Sequence, residues 1–320
     1  MKDSQGRFAY TVLMPAHNSA ATVTASIASA LSQTVPPEQV LLVDDGSDDD
    51  TAALASSVGA TVLSQSRKGS AAARNCGLEE VRTPYVATLD ADDTWLPRMA
   101  EVHAGVWAGL GADVAATGAF LRPVGPAAGA AWRQRRTARA SEPRRVTAEE
   151  LWSGNPFPCS ATMFRTAALR QVGGWSEVPA VEDYDLLVRL WASGRDLVRI
   201  DEVLGTYYVG TGQKTAVVAR GLSGERRAVT LLFETSRRAA ELPHADLAAR
   251  LRAAWWHAAA RCANYRVPLS TLPSITEYGG RRPAVHLFAG GLVTLPAVSA
   301  VAASAWRTVG RMRRDPSADG

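Results

Sequence analysis

The stretch Y-V-A-T-L-D-A-D-D-T-W at residues 85–95 decides how the rest of the chain is interpreted. Its apolar first half follows a Thr-Pro turn signal, which is typical of a short buried strand. The run ends abruptly in three carboxylates, Asp90, Asp92 and Asp93. Such carboxylates repel one another unless a cation lies between them, and hard oxygen ligands suit Mg²⁺ or Mn²⁺. The stretch therefore predicts either a divalent-cation site that handles phosphate or a solvated turn with an aspartate cap.

The composition is that of a globular protein. The 320 residues are 47% hydrophobic and 21% charged, and the net charge of +4 is too small to predict a nucleic-acid partner. The three cysteines, Cys76, Cys159 and Cys262, form no C-x-x-C pair, so we expect neither a disulfide framework nor a zinc site. The N-terminal residues carry no signal-peptide apolar region, and we expect a cytoplasmic protein.

Strand and helix patterns alternate along the first part of the chain. Four apolar strand segments are separated by segments with helical spacing, at residues 8–14, 40–43, 60–63 and 85–89. This alternation predicts an α/β fold with a mostly parallel sheet, in which ligands bind at the carboxyl ends of the strands. Polar loops follow three of these ends, at residues 15–18, 44–47 and 90–93. We expect the loops to converge, which favours the cation site over the solvated turn.

The loop at residues 44–47, Asp-Asp-Gly-Ser, lies between a strand and a helix. Ser47 and Asp50 fit a capping box for that helix. Two carboxylates are more than a cap needs, so we favour a role in binding a base or ribose, with phosphate near the helix N-terminus. Lys68 and Arg74 lie between the two acidic loops, where contact with a diphosphate competes with a solvated basic face.

Glu182 and Asp183 begin an amphipathic helical segment. Acids in the first turn complement the helix macrodipole, and from these residues alone that role is favoured. The alternative is a general base that deprotonates an acceptor hydroxyl, a role that contributes about 10²–10⁴-fold in rate. The turn Gly173-Gly174-Trp175 would let an acceptor approach the backbone closely. Two short strands are expected further on, at residues 197–200 and 203–209.

Six segments resemble, in order, the motifs of family 2 glycosyltransferases with the GT-A fold: V-L-M-P-A-H-N, L-L-V-D-D-G-S-D-D-D-T, K-G-S-A-A-A-R-N-C-G, V-A-T-L-D-A-D-D, V-G-G-W-S-E and V-E-D-Y-D-L-L-V-R-L. The likeness spans residues 8–210. It implies a Rossmann-like, mostly parallel central sheet flanked by helices. It also implies transfer of a sugar, with inversion, from a nucleotide-diphosphate sugar to an acceptor hydroxyl. A UDP-sugar is the first candidate for the donor. The acceptor would be a glycan, a lipid-linked molecule or a small molecule in cell-surface glycan or glycoconjugate biosynthesis.

The resemblance also implies roles for single residues. The nucleotide sugar would be held by Pro15, Ala16, Asn18, Asp44, Asp45, Lys68, Arg74 and Asp90. Asp92 and Asp90 would hold a divalent cation, Mn²⁺ or Mg²⁺. Asp183 would be the catalytic base, supported by Glu182. Many relatives carry Tyr-Arg-x-His after the last strands, and its histidine reaches the metal. The matching stretch here, residues 207–214, contains no histidine, so the third metal ligand is left open.

Two alternatives stay open beside the transferase. The segment Asp90-Ala91-Asp92-Asp93-Thr94 also resembles the D-x-D-x-T nucleophile motif of haloacid dehalogenase-type phosphatases. That family places the motif on its first strand, whereas three predicted strands precede it here. A phosphohydrolase with Asp90 as nucleophile is the first alternative, and a non-catalytic sugar-nucleotide-binding protein is the second. No G-x-S-x-G, P-loop or H-E-x-x-H motif occurs, which excludes serine hydrolases, P-loop kinases and zincins.

The sequence predicts a GT-A domain over residues 1–215, with a nucleotide-binding half to about residue 105 and an acceptor half from 106. A helical C-terminal extension would follow over residues 216–320. Its segment Pro283–Trp306 has no charged residue and arginines on both flanks. These flanks favour a helix lying on the inner-membrane surface, as in a peripheral protein, or packed on the catalytic domain, over a membrane span. The arginine-rich segment 132–145 is either a solvated insertion or a site for a phosphate-bearing acceptor.

Overall fold

The structure is a computed structural model, which describes residues 8–125, 142–176, 181–209, 214–234 and 247–264, together with residues 270 and 272. The chain divides into two compact units, Met1–Gly212 with Leu231–Pro243 and Gln213–Thr230 with His244–Gly320. The domain boundary after residue 215 stays a prediction. The arginine-rich segment lies outside the described residues up to residue 141, and Pro283–Trp306 lies wholly outside them.

The strands of the first unit are β1 (Tyr10–Ala16), β2 (Gln39–Asp44), β3 (Thr61–Ser64), β4 (Tyr85–Thr88), β5 (Thr94–Trp95), β6 (Val114–Val124), β7 (Arg144–Arg145), β8 (Thr162–Arg165) and β9 (Asp196–Tyr208). Its helices are α1 (Val23–Leu31), α2 (Thr51–Ser57), α3 (Ser70–Glu80), α4 (Met99–Ala108), α5 (Ala148–Ser153), α6 (Thr166–Gln171) and α7 (Glu182–Ala192). A 3₁₀ turn, Cys159–Ala161, precedes β8. Each of the four predicted strands is present within two residues of its expected bounds.

The strands form one sheet in the order β3-β2-β1-β4-β8-β6-β9-β5, with β7 paired to β9. Strand β1 pairs in parallel with β2 and with β4, and β2 pairs in parallel with β3. Strand β8 runs antiparallel to β4 and to β6, so the second half of the sheet is mixed. The predicted α/β sheet is confirmed, and its parallel pairs are those within β3-β2-β1-β4 and the pair β6-β9. The strand order reverses at β1, which is where such sheets bind ligands.

Helix α3 lies close to the centre of the sheet because Gly77 has no side chain. A Cβ at this position would lie 2.3 Å from Leu13 Cδ1 and 3.0 Å from Val43 Cγ2. Both partners are buried core residues, of β1 and β2 respectively. The close approach carries the first turns of α3 to the edge where β1, β2 and β4 end.

The two short strands predicted at residues 197–200 and 203–209 are wrong as separate elements, because β9 continues through both. The polar pair Asp201-Glu202 suggested a break, but both side chains are paired with arginines. Arg199 Nε donates to Asp201 Oδ1 at 2.6 Å, and Arg98 pairs with Glu202. These ion pairs let two acids lie within a continuous strand.

The remaining described helices are α8 (Lys214–Glu234), whose residues 214–230 belong to the second unit, and α9 (Leu247–Asn264), which lies within the second unit. Arg250 Nη2 on α9 pairs with Glu225 Oε1 on α8 at 2.9 Å. These helices agree with the predicted helical extension. Within the described ranges, no helix has both the length and the apolar character that a membrane crossing requires.

We expect Gly77→Ala to lower the free energy of unfolding by about 1–3 kcal/mol, because the added methyl group overpacks the α3–sheet contact. Gly105→Ala is the matched control, since it also adds a methyl group to a helix but meets nothing within 4 Å. The control should be neutral or stabilising by about 0.5–1 kcal/mol. Urea denaturation of both variants measures the difference, and equal effects at the two positions would contradict the packing argument.

Candidate functional site

The loops after β1 and β2 are joined by hydrogen bonds. Asn18 has a left-handed backbone with φ 48°; its N–H donates to Ser47 Oγ and its Oδ1 accepts from Asp48 N–H, both at 2.9 Å. Ser47 Oγ in turn donates to Asp44 Oδ1. The predicted capping box is therefore wrong, because the Ser47 hydroxyl binds the Asp44 carboxylate and α2 begins only at Thr51.

Pro15 and Ala16 form the carboxyl end of β1, where they pair with Val43 and Asp44 of β2. Both are buried, and Ala16 O accepts the N–H of Asp45 at 2.8 Å. Asn18, two residues further on, is exposed. The structure thus brings the predicted residues of the first two loops together at one edge of the sheet.

The Asp45 carboxylate is buried and shapes the loop that leads into α3. Its Oδ1 accepts from Gln65 Nε2 and from the Lys68 N–H, each at 2.7 Å, and its Oδ2 accepts from the Gly69 N–H at 2.7 Å. Burial raises the pKa of Asp45, but these hydrogen bonds outweigh it and the pKa is lowered. Gly69 has φ +97°, a conformation that suits glycine and turns two N–H groups toward one carboxylate.

Arg74 connects the loop after β4 with the start of α7. Its side chain is only 4% exposed; Nη2 lies 2.6 Å from Asp90 Oδ1 and Nη1 lies 3.3 Å from Glu182 Oε1. Ser70 Oγ also donates to Glu182 Oε1, at 2.7 Å. Burial acts to lower the pKa of Arg74, but the Cys159 thiol and both carboxylates raise it well above its usual range. One guanidinium therefore holds Asp90 and Glu182 together.

The three aspartates after β4 have different surroundings. The Asp92 side chain is exposed to solvent on one side. Partial desolvation of its carboxylate by the surrounding protein, followed by the charge of Asp90, raises its pKa. Asp93 is buried, and its Oδ1 accepts the N–H of Tyr208 at 2.9 Å, at the end of β9. Burial, followed by the charge of Asp90, raises the pKa of Asp93 to about 8. Asp93 thus connects the acidic loop to the end of β9.

Two of the residues that hold these loops, Ser160 and Asn75, have structural roles that the sequence did not indicate. Ser160 Oγ accepts the N–H of Asp90 at 3.0 Å, and Ser160 O accepts from Trp95 Nε1 at 2.6 Å. Asn75 binds both backbone groups of Trp175: Oδ1 accepts its N–H at 2.8 Å and Nδ2 donates to its O at 2.7 Å. Asn75 follows Arg74 directly, and this was the sequence signal that could have identified it.

The predicted acceptor turn is held against α3 by the Asn75 contact. Gly174 has φ +69°, and a Cβ there would lie 2.3 Å from Asn75 Oδ1. Arg189 Nη2 donates to Gly174 O at 2.8 Å from the other side. The group that lies close to the Gly174 backbone is therefore the side chain of Asn75.

Asp183 lies half-buried in the first turn of α7. Its Oδ1 accepts the N–H of Tyr184, and its Oδ2 accepts from Asn155 Nδ2, both at 2.8 Å. Burial, followed by the charge of Glu182, raises the pKa of Asp183 to about 6, although Arg74 acts in the opposite direction. A carboxylate with such a pKa can accept a proton near neutral pH.

A family model described as "Glycosyl transferase family 2" matches residues 11–173, which is more than half of the 320 residues. The chain belongs to glycosyl transferase family 2. It is therefore a glycosyltransferase, and the family predicted from six motifs is confirmed. A comparison with curated proteins gives no match to this family 2 glycosyltransferase.

Solved structures similar to this glycosyltransferase include TarS of S. aureus in complex with UDP-GlcNAc. That likeness has 16% identity and a TM-score of 0.59, over 80% of this chain and 72% of that one. A second is the mannosyltransferase PcManGT from Pyrobaculum calidifontis in complex with GDP-Man and Mn²⁺. It has 19% identity and a TM-score of 0.58, over 94% of this chain and 80% of that one. At these identities the likeness shows the fold, and the predicted GT-A fold is confirmed.

The acidic loop of this glycosyltransferase fits a divalent cation that is shared with a substrate phosphate. Within the described ranges, no group of three or more His, Cys, Asp or Glu side chains is placed to hold a metal ion by itself. Mg²⁺ sites commonly use one or two carboxylates and complete their shell with water and substrate phosphates. Asp92 and Asp90 offer that pair, and their mutual repulsion is what a cation would relieve.

In this glycosyltransferase we expect Arg74→Met to lower the free energy of unfolding by about 3 kcal/mol, because two carboxylates would lose their counter-ion. Arg82→Met is the control, since its pair with Glu80 at 3.6 Å is exposed on both sides. The control should change the free energy of unfolding by less than about 0.5 kcal/mol. Urea denaturation at pH 7.5 measures both, and an Arg74 variant as stable as the control would contradict the ionic bridge.

Proposed function

We propose that this chain transfers a sugar from a nucleoside-diphosphate sugar, with a UDP-sugar as the first candidate, to an acceptor hydroxyl with inversion. The observation that carries the proposal is the Arg74 guanidinium, at 2.6 Å from Asp90 Oδ1 and 3.3 Å from Glu182 Oε1. This pairing keeps the expected donor carboxylate beside the helix that begins with the expected base. Membership of family 2 supports the sugar-transfer part.

For the donor, we propose that the base and ribose bind at the edge formed by Pro15, Ala16, Asn18, Asp44 and Asp45. The hydrogen bonds between the 17–20 and 44–51 loops support a preformed pocket wall. Lys68 has an exposed side chain beside this edge and is proposed for the diphosphate. Arg74 is proposed to act on the diphosphate indirectly. Its buried guanidinium binds Asp90 and offsets the negative charge of that carboxylate. The complexes of TarS with UDP-GlcNAc and of PcManGT with GDP-Man make a nucleotide sugar the natural donor class.

We propose Asp92 and Asp90 as the residues that hold Mn²⁺ or Mg²⁺. When bound, the ion supplies Lewis-acid stabilisation of the charge that develops on the leaving diphosphate. The presence of Mn²⁺ in the PcManGT complex supports this choice of cofactor. Asp93 is excluded from the set because its carboxylate is buried and accepts the Tyr208 N–H.

In the proposed reaction, Asp183 accepts the proton of the acceptor hydroxyl. The acceptor oxygen forms a bond to the anomeric carbon, while the bond from that carbon to the diphosphate oxygen breaks and its electron pair leaves with the nucleoside diphosphate. A single displacement from the opposite face inverts the configuration. The raised pKa of Asp183, about 6, suits a base that works near neutral pH.

We further propose a role in cell-surface glycan or glycoconjugate synthesis at the cytoplasmic face of the membrane. The support is the sequence alone: Pro283–Trp306 has no charged residue and has arginines on both sides. Such a segment suits an interfacial helix that would bring the enzyme to a lipid-linked acceptor.

Donor binding can be measured by thermal shift with UDP-GlcNAc, other UDP-sugars and GDP-Man, each with and without Mn²⁺. We expect one donor class to raise the melting temperature, with a larger shift in Mn²⁺. Asp92→Asn should remove most of the Mn²⁺-dependent part, because a neutral amide binds a hard cation weakly. No shift with any donor would overturn the proposal. Phosphate release from small phosphoesters with covalent labelling of Asp90 would instead support the phosphohydrolase.

The pH dependence of kcat/KM tests the assignment of Asp183 as the base. Below its pKa of about 6, Asp183 is protonated and cannot accept a proton, so kcat/KM should fall as the pH is lowered through that value. Glu182→Gln removes the negative charge that raises this pKa, so the acidic limb of the profile should move to lower pH. Asp183→Asn should reduce transfer by about 10²–10⁴-fold while donor binding persists. Full activity of Asp183→Asn would refute its assignment as the base.

A further inference from the structure

Asn155 holds the carboxylate of Asp183 from a different part of the chain. Its Nδ2 donates to Asp183 Oδ2 at 2.8 Å, from the loop that follows α5. We propose that Asn155 is a positioning residue, which aims the Asp183 carboxylate at the acceptor hydroxyl. This inference rests on the proposed role of Asp183 as the base.

The orientation of the Asn155 amide is set by its second hydrogen bond. Its Oδ1 accepts the N–H of Phe157 at 3.4 Å, so the NH₂ group is the end that faces Asp183. Phe157 is itself a buried core residue. Its ring covers Gly118 of β6, where a Cβ would lie 2.1 Å from two ring carbons. The amide is thereby connected through Phe157 to the rigid central sheet, although its own side chain is exposed.

The two hydrogen bonds to Asp183 restrict its carboxylate to one plane. Tyr184 N–H binds Oδ1 from within α7, and Asn155 binds Oδ2 from outside the helix. The first contact is local to the helix and leaves rotation about the side chain partly free. The second contact removes that freedom. A carboxylate oxygen can accept more than one hydrogen bond, so Oδ2 keeps room for an acceptor O–H.

The charges around Asp183 favour a neutral hydrogen-bond donor, such as the Asn155 amide, over a cationic one. The charged groups that act on it are Glu182 on α7, Arg74 on α3 and Asp90 after β4. Arg74 already compensates Glu182 and Asp90. A second cation beside Asp183 would lower its pKa and weaken it as a base, whereas an amide orients it and favours the ionised form only modestly.

The test compares Asn155→Ala and Asn155→Asp with the unchanged protein. For Asn155→Ala we expect kcat to fall about 10- to 100-fold through misorientation of the base, with donor KM within about twofold. The acidic limb of the pH–rate profile should move to higher pH, because the ionised form of Asp183 loses a donor. Asn155→Asp should move the limb further, because two carboxylates would then face each other.

Ser153→Ala is the matched control, since Ser153 lies two residues away and its Oγ donates to Glu149 O on the same helix. This control should leave both kcat and the acidic limb of the pH–rate profile unchanged. An unmoved limb in both Asn155 variants would overturn the inference, even if kcat fell, because a loss of local structure alone does not shift that limb. A change confined to donor KM would overturn it as well.

A second readout does not depend on activity. Carbodiimide modifies protonated carboxyl groups, so the pH at which Asp183 becomes labelled, measured by mass spectrometry, reports its protonation in the free protein. The labelling midpoint should rise in the order unchanged protein, Asn155→Ala, Asn155→Asp. Identical midpoints would overturn the inference about Asn155. An absence of transfer with every donor, combined with shifted midpoints, would overturn only the proposed function.

Discussion

The Arg74 guanidinium is the interaction on which the arrangement of the site depends. It is buried in α3 and joins Asp90, just after a sheet strand, to Glu182, at the start of a helix 108 residues after Arg74. Two like charges drawn to one place repel each other, and the guanidinium between them offsets that repulsion. The bridge therefore lets a strongly acidic edge exist before any ligand arrives. It also means that the loop after β4 and the start of α7 are held by the same charge.

Helix α3 can provide this bridge only because it lies close to the sheet. Gly77 permits the approach on one side, and Asn75 fixes the Gly174 turn on another. Neighbouring residues of one helix thus serve different partners: Arg74 binds carboxylates, Asn75 binds a backbone turn, and Gly77 packs on the core. Packing and charge are coupled here, because a shift of α3 away from the sheet would move the guanidinium from both acids.

The sheet and the identity of its acidic loops could be predicted from the sequence, because strands 10–16, 39–44 and 85–88 are short apolar runs that end in polar turns. The family followed from the order of six motifs. Long-range partners could not be predicted. Nothing in the run Asp90-Ala91-Asp92-Asp93 indicates that Asp93 turns inward to the Tyr208 N–H, since this depends on where β9 ends. Asn155 was missed for the same reason, as its partner lies 28 residues away on another element.

The three hydrogen bonds to Asp45 limit how many further groups this carboxylate can bind. An ionised carboxylate offers about four acceptor positions, and Gln65, Lys68 and Gly69 already occupy three. Asp45 is therefore left with room for a single incoming donor. A carboxylate so nearly saturated by its own chain can accept one further hydrogen bond, but not an adjacent pair of donors.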